Sequence, residues 1–282
     1  MTEDVIKSPK VLGHLGPCLN QVPVRAFNSI CERCFQTFRT AVGGDVRRGG
    51  EKPRQHLITR MMYLSESTST AVRLNATWAL SLPAMSLVRD RYEQVVRFSW
   101  LARQADHGEL AKYIGSYYAK ANKVFRRLQP HEQAEFEKLI GKLPGWMTAA
   151  PSREEKAYLD RWSSLALDAM AAKRDALKPL ANTPLDQEEL AGFYAPVYQQ
   201  FSSVTHFDMY SMNLMGLHHG PGEVLVLAPD PWWPALLLLY DALFSLIQCH
   251  EAVLAFYGAD RPDLFSDLHE EWRLEADVFL RR

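Results

Sequence analysis

Two segments of this 282-residue chain carry polar side chains at helical spacing, with apolar residues at flanking positions of the same helices. In the first segment, Leu82 to Leu101, Arg89 and Glu93 stand four residues apart, so their side chains can meet on one face of a helix. Apolar residues flank both of them, and a charge in that setting needs a partner because an unpaired buried ion is strongly destabilising. The pattern predicts a partly buried Arg–Glu pair.

The second segment runs from Tyr194 to Asn213, where Tyr198, Ser202 and His206 recur every four residues. One helix face would therefore carry a phenol, a hydroxyl and an imidazole. We expect this face to meet the Arg–Glu pair across a helical bundle. Two interpretations are open: a working site, or a structural polar network that only fixes how the helices pack.

With these two motifs the chain resembles a largely prokaryotic, uncharacterised family of all-helical proteins. In that family an Arg-x3-Glu helix precedes a Tyr-x3-Ser-x3-His segment, and the resemblance extends over roughly residues 56–257. The family is distantly similar to HEPN domains, many of which are metal-independent ribonucleases of toxin–antitoxin and phage-defence systems. The resemblance therefore implies a cytoplasmic protein of defence or toxin type that cleaves RNA without a cofactor.

The same resemblance implies roles for the motif residues. His206 would take the proton of the RNA 2′-hydroxyl, Arg89 would hold the phosphate, and Glu93 would orient Arg89, with Tyr198 and Ser202 in support. The alternative, from another class of protein, is a non-catalytic helical interaction protein in which this cluster is structural. The expected partners are accordingly RNA, another protein or a second copy of the chain.

HEPN ribonucleases use an Arg-x4–6-His motif, and Arg126 with His131 satisfies that spacing. Pro130 lies between the two residues, and His131 stands where a helix is expected to begin. Two fixed residue types in so short a window arise easily by chance. We interpret this match as coincidental.

The elements that must position these residues are helices. Helical periodicity covers Phe27–Val42, His56–Leu80, Ala84–Ala105, Gly108–Leu128, Glu132–Ile140, Ser152–Leu177, Asp186–Met215, Pro234–Tyr257 and Asp263–Leu280. Strands do not alternate with helices, which predicts an all-α, single-domain antiparallel bundle. We expect residues 1–25 to form an irregular arm, residues 26–282 to form the helical domain, and residues 43–55 to form a loop within it.

Composition limits the classes of partner. Lys and Arg total 32 and Asp and Glu total 33, so a net charge of −1 gives no general attraction for nucleic acid or anionic lipid. The most apolar run, Ala235 to Cys249, is too short to cross a bilayer and contains Asp241 and Gln248. It predicts a buried central helix and no membrane association.

The thiols leave one metal hypothesis open. His14, Cys18, Cys31 and Cys34 have ligand types and spacing that could close a tetrahedral zinc site. Cys31 and Cys34 equally fit the apolar stripe of the Phe27–Val42 helix, which predicts buried, inert thiols. Four cysteines in so long a chain, and an N-terminus without an apolar signal core, predict reduced thiols and a cytoplasmic location.

Two further possibilities concern metal and self-association. Polar residues in apolar helices, such as Asp241 and His250, are types that a di-metal carboxylate bundle uses, but the Glu-x2-His pairs of such bundles are missing from the sequence. We therefore predict no metal and no cofactor. The apolar faces of the Phe27–Val42 and Asp263–Leu280 helices predict either self-association or packing on the core.

Overall fold

The structure is a computed structural model that describes residues 21–46, 53–78, 80–103, 113, 127–140, 165–205, 232–257 and 263–281. Within these ranges the α-helices are α1 (Val22–Val46), α2 (Pro53–Thr77), α3 (Ser81–Arg103), α4 (Pro130–Ile140), α5 (Leu167–Asp175), α6 (Gln200–Thr205), α7 (Trp232–Tyr257) and α8 (Ser266–Leu280). No strand occurs in the described residues. The prediction of an all-α fold is confirmed.

Helix α7 is the centre of the protein. It packs against α1, α2, α3 and α8, and it is buried from Pro234 to Leu254 except at Tyr240. In the described residues, Trp232–Ala255 is the one stretch long and apolar enough to span a membrane, and 94% of its apolar window is buried inside the protein. A helix surrounded on several sides needs apolar residues around its circumference, which is why α7 reads as a continuous apolar run.

Helix α1 confirms the predicted apolar face and corrects its boundaries. Phe27, Ile30 and Phe38 are buried in the core, so this face does not provide a surface for self-association. The helix begins at Val22, inside the predicted arm of residues 1–25, because a proline at position 23 is compatible with a first helical turn. It also continues through Gly43 into the predicted loop, since a helical glycine costs only about 1 kcal/mol.

Helix α3 is rotated relative to the sequence prediction. The predicted seam included Arg89 and Glu93, but the buried side of the helix is centred on Val88, Tyr92 and Val95. These larger apolar side chains gain more from burial than the predicted set, so Arg89 and Glu93 move to the edge of the interface. Arg91, which the seam prediction omitted, lies in the core instead.

The segment before α6 is not the continuous helix predicted for residues 186–215. Two short 3₁₀ helices, Leu185–Gln187 and Ala191–Phe193, precede a π-helix at Tyr194–Gln199 that leads into α6. Pro196 lies within the π-helix; it has no N–H to donate, and its ring disfavours an ordinary α-helical turn. The predicted kink at this proline therefore takes the form of a wider helical turn.

Several predictions lie outside the described residues. They include the helix predicted at Gly108–Leu128 apart from a few positions, most of the helix at Ser152–Leu177, and the chain from residue 206 to residue 231. The domain boundaries at 26 and 282 stay predictions.

A buried ion pair joins the four principal helices. The Arg91 Nε of α3 donates to the Oδ1 of Asp241 on α7 over 3.0 Å, and both side chains are 0% exposed. The other carboxylate oxygen accepts from the Ser69 hydroxyl of α2 at 2.6 Å and from the Cys31 thiol of α1 at 3.5 Å. Helices α1, α2 and α3 thus each contribute one partner to the single carboxylate that α7 carries.

The guanidinium of Arg91 is satisfied in the same way. It donates to Gln248 at 2.7 Å and to Ser245 at 3.3 Å, both on α7, and Gln248 in turn donates to Ser65 of α2 at 2.7 Å. We call Arg91, Asp241 and these partners the core ion pair network. It holds charges inside the protein that would otherwise be strongly destabilising.

We expect Asp241→Asn to lower the free energy of unfolding by about 3–5 kcal/mol, because it leaves the buried Arg91 charge uncompensated. The double variant Arg91→Met with Asp241→Leu should lose much less stability than Arg91→Met alone and Asp241→Leu alone lose together, as measured by chemical denaturation. The exposed pair Arg33–Glu271, 2.6 Å apart between α1 and α8, is a matched control whose removal should cost less than about 1 kcal/mol. Additive effects in the Arg91 and Asp241 cycle would contradict this account.

Candidate functional site

Arg89 contacts the segment that the sequence predicted for it. Its Nε donates to the Ser202 hydroxyl at 2.9 Å, and one terminal nitrogen donates to the Tyr198 hydroxyl at 3.2 Å. The guanidinium carbon also lies 4.7 Å from the centre of the Tyr198 ring. The predicted contact between the two motif segments is therefore present in the structure.

Glu93 does not take the predicted part in this contact. Its carboxylate pairs with Arg97, one turn further along α3, at 2.5 Å. Arg89 instead pairs with the adjacent Asp90 at 3.1 Å. We define the Arg89 surface as Arg89, Asp90, Glu93, Arg97, Tyr198 and Ser202. The rotation of α3 explains the change, since both charges can reach other partners at the edge of the helix.

The π-helix positions the two hydroxyl groups. The Ser202 hydroxyl donates to the Tyr198 backbone carbonyl at 2.5 Å, which ties the side chain of the first α6 turn back to the wider turn before it. The Tyr194 ring stacks on Tyr198, with centroids 5.2 Å apart and an interplanar angle of 18°. Tyr198 is thereby fixed between Tyr194 and Arg89.

The Arg89 surface is partly open to solvent. The side chains of Arg89 and Glu93 are 22% and 28% exposed, in contrast to the core ion pair network. Among the residues that the structure describes, the contacts of Arg89 use three of the five N–H groups of a guanidinium. The other two N–H groups have no acceptor among the described residues, and a ligand with acceptor oxygens could use them.

The acidic residues moderate the charge of this surface. Asp90 and Glu93 formally balance Arg89 and Arg97. Burial raises the pKa of Asp90 from its ordinary value, Arg89 lowers it and Glu93 raises it further. Asp90 consequently loses its negative charge more readily than an ordinary aspartate as the pH falls.

His206 lies outside the described residues, immediately after the end of α6 at Thr205. Its predicted role as a base stays a prediction. Arg126 also lies outside them, while His131 is exposed in the first turn of α4.

A second sealed network was missed by the sequence analysis. Glu251 of α7 accepts from Arg103 of α3 at 2.8 Å and from Arg174 of α5 at 2.5 Å, and all three side chains are at most 1% exposed. Arg103 also donates to the Asp186 carbonyl at 2.7 Å. We call Arg103, Arg174, Asp186 and Glu251 the Glu251 network. No regular spacing connects these residues, which come from three distant parts of the sequence, around residues 103, 174–186 and 251.

Charge pairing shifts the pKa values in this network. Burial alone would raise the pKa of Glu251, but the guanidinium groups of Arg174 and Arg103 outweigh burial and lower it. Burial alone would lower the pKa of Arg174, but Glu251 and Asp175 raise it. Each charged group is therefore stabilised by its partners inside the protein.

A groove with a volume of about 280 Å³ lies between the 3₁₀ turn at Leu185–Gln187 and α8. None of the residues of the Arg89 surface lines it. Its polar lining is largely self-satisfied: His250 contacts Thr183 at 3.3 Å, and Arg273 pairs with Glu270 at 3.4 Å.

The thiols are placed in the core. Cys31, Cys34 and Cys249 are buried and free, and burial is the main cause that raises the pKa of each. A raised pKa disfavours the thiolate that metal binding requires. Over the described part of the chain there is no group of three or more metal-ligand residues. His14 and Cys18, the other members of the zinc hypothesis, lie outside it.

Comparison with known families matches residues 55–223 to DUF5677, a family of unknown function. The match covers more than half of the 282 residues. The chain belongs to this family. No curated protein and no solved structure matches the chain.

The DUF5677 match contains the whole Arg89 surface, on α3, the π-helix and α6, but neither α1 nor α7. The core ion pair network and the Glu251 network both depend on α7. They therefore join the region matched to the family with a helix that lies beyond it.

The Glu251 network predicts a loss of stability in acid. Because the pKa of Glu251 is lowered in the folded protein, its contribution is present above the unfolded-state pKa, about 4.5, and is lost as the pH falls through the folded value. We expect Glu251→Gln to destabilise the protein by about 3–5 kcal/mol at neutral pH and to flatten the acid limb of stability against pH. Glu270→Gln, at an exposed pair, should leave that limb unchanged. An unchanged limb in Glu251→Gln would contradict the assignment.

Proposed function

We propose that the Arg89 surface binds a phosphate group of RNA and forms the site of a metal-independent ribonuclease. The observation that carries the proposal is the partly exposed guanidinium of Arg89, which Ser202 and Tyr198 hold in place and which keeps two N–H groups without an acceptor among the described residues. Arginine suits this task because its planar N–H groups match the spacing of phosphate oxygens.

The aromatic residues beside Arg89 support an RNA ligand. Tyr194 and Tyr198 form a stacked pair, and both are partly exposed. Unpaired bases stack on aromatic side chains in many RNA-binding sites, while an adjacent arginine contacts the backbone.

The proposed reaction uses only side chains. His206, assigned by the resemblance, takes the proton of the 2′-hydroxyl, and the 2′-oxygen forms a bond to phosphorus as the bond to the 5′-oxygen breaks. The leaving 5′-oxygen takes a proton from solvent, which gives a 2′,3′-cyclic phosphate and a 5′-hydroxyl. Arg89 stabilises the charge that develops on the phosphate oxygens. Glu93 would act indirectly, by holding Arg97 on the same surface.

A non-catalytic interaction protein is the second candidate. The balance of charge across the Arg89 surface favours it, since Asp90 and Glu93 offset the two arginines and reduce attraction for a polyanion. In that case Arg89, Tyr198 and Ser202 would fix the packing of the π-helix on α3.

The test is cleavage of single-stranded RNA by the purified protein in the presence of a chelator. We expect Arg89→Ala to lower the rate by about 10²–10³-fold, the usual effect of losing a group that stabilises the transition state. His206→Ala should abolish cleavage. The rate of Tyr198→Phe should lie between those of the parent and Arg89→Ala, because this variant keeps the ring and loses only the hydroxyl. Arg273→Ala, which removes an exposed arginine of α8 from a similar pair with a glutamate, should be unchanged.

The results separate the two candidates. Equal cleavage by the parent and by Arg89→Ala would place the activity elsewhere. If neither the parent nor any variant binds or cleaves RNA, the interaction function is favoured. For a protein of toxin type, expression in a bacterial host should also slow growth, and Arg89→Ala should relieve the effect.

A further inference from the structure

Helix α2 carries two heptad seams on opposite sides. The inner seam consists of the buried residues Ile58, Met62, Ser65, Ser69, Val72 and Ala76. The outer seam, displaced by two residues, consists of Arg60, Leu64, Ser67, Ala71, Leu74 and Trp78; Trp78 directly follows the last residue of α2, and its N–H still donates to the Leu74 carbonyl at 3.2 Å. Both follow steps of 4, 3, 4, 3 and 4, and two residues correspond to a rotation of about 200° around the helix.

The outer seam faces solvent. Leu64, Leu74 and Trp78 are 60%, 58% and 52% exposed, and Arg60 and Ser67 are exposed as well. Single exposed apolar residues are common on protein surfaces. Here they recur on one line at the spacing of a coiled-coil seam, on a helix whose other side already packs against the core.

We propose that two copies of the chain pair through the outer seam, with their α2 helices antiparallel. The order of residues along the seam identifies the second copy as the occupant. In an antiparallel pair related by a two-fold axis at the level of residue 69, residues equidistant from that level meet. Leu64 then meets Leu74 of the other copy, and Ser67 meets Ala71, so that large side chains face large ones and small face small.

The residues at the two ends of the outer seam are also complementary, because one end carries a cation and the other an aromatic ring. The same axis brings Arg60 of one copy to Trp78 of the other, where a guanidinium can lie on an indole ring. In a parallel pair, Arg60 would instead face Arg60 of the other copy, and the repulsion between these two like charges disfavours that arrangement. Self-complementary order of this kind is what a two-fold interface requires.

The layers also follow the geometry of an antiparallel coiled coil. With Leu64 and Ala71 at a positions, Ser67 and Leu74 occupy d positions, and the proposed axis pairs each a with a d of the other copy. The seam spans only five turns or so of one helix. We therefore expect a weak, concentration-dependent dimer in the class of small, transient interfaces. The inference is independent of the proposed RNA site, which lies on α3, the π-helix and α6.

The test measures the mass of the full chain by sedimentation over a range of concentrations. The parent protein should pass from monomer to dimer, and Leu74→Glu should weaken the association by at least about tenfold, because it places a carboxylate against Leu64 in both symmetric layers. Both positions are exposed, so the variant should fold, as circular dichroism would check. Leu274→Glu, at a leucine of α8 that is 60% exposed, is the matched control and should associate like the parent.

A double variant tests the orientation. In an antiparallel pair, Leu64→Lys combined with Leu74→Glu creates two lysine–glutamate layers and should restore dimerisation. In a parallel pair it would create lysine–lysine and glutamate–glutamate layers and weaken association further. A parent chain that stays monomeric, a Leu74→Glu variant that dimerises normally, or a double variant that does not recover would each overturn the proposal.

Discussion

The carboxylate of Asp241 has to be neutralised inside an apolar core, and this requirement constrains the helices around it. Arg91 supplies the charge from α3, while Ser69 and Cys31 approach from α2 and α1. Apolar contacts between helices tolerate small shifts, because dispersion and hydrophobic burial are weakly directional. A carboxylate in the core does not tolerate such shifts, because each displaced partner leaves its charge less well satisfied. The network therefore fixes the relative rotation of the helices as well as contributing to their association.

That rotation decides which polar groups reach solvent. With Arg91 directed into the core, Arg89 stands two residues away on α3 and emerges at the edge of the interface, beside Tyr198 and Ser202. The protein thus separates two uses of arginine on one helix. Arg91 and Arg103 are sealed and donate to protein acceptors in the core, whereas the side chain of Arg89 is 22% exposed. A sealed arginine can stabilise or specify a fold, but only an accessible one can bind a ligand.

The π-helix positions the partners of Arg89 on the Arg89 surface. Pro196 has no N–H to donate and disfavours an ordinary α-helical turn, and the wider π-helical turn around it positions Tyr198 and Ser202. Stacking on Tyr194 and the bond from Ser202 to the Tyr198 carbonyl then limit the freedom of the site. A guanidinium held by side chains that are themselves held loses little further conformational entropy when it binds a ligand.

The sequence by itself determined the helical class and the buried central helix α7, because helical periodicity and long apolar runs are local properties. The expected contact of Arg89 with Tyr198 and Ser202 is made only by the tertiary structure, which brings together segments more than 100 residues apart. The sequence placed α1 correctly by its apolar face but missed the helix ends, which proline and glycine only bias. It also predicted Arg89 on the buried side of α3 where the structure has Arg91, since residue spacing alone does not show which of the two arginines faces the core. Tertiary structure decided that choice, together with the Glu251 network, the pairing of Glu93 with Arg97 and the form of the turn at Pro196. The physical reason is that a buried charge is governed by partners from distant segments, such as Asp241 for Arg91, and no local pattern in the sequence records which partners the fold will bring together.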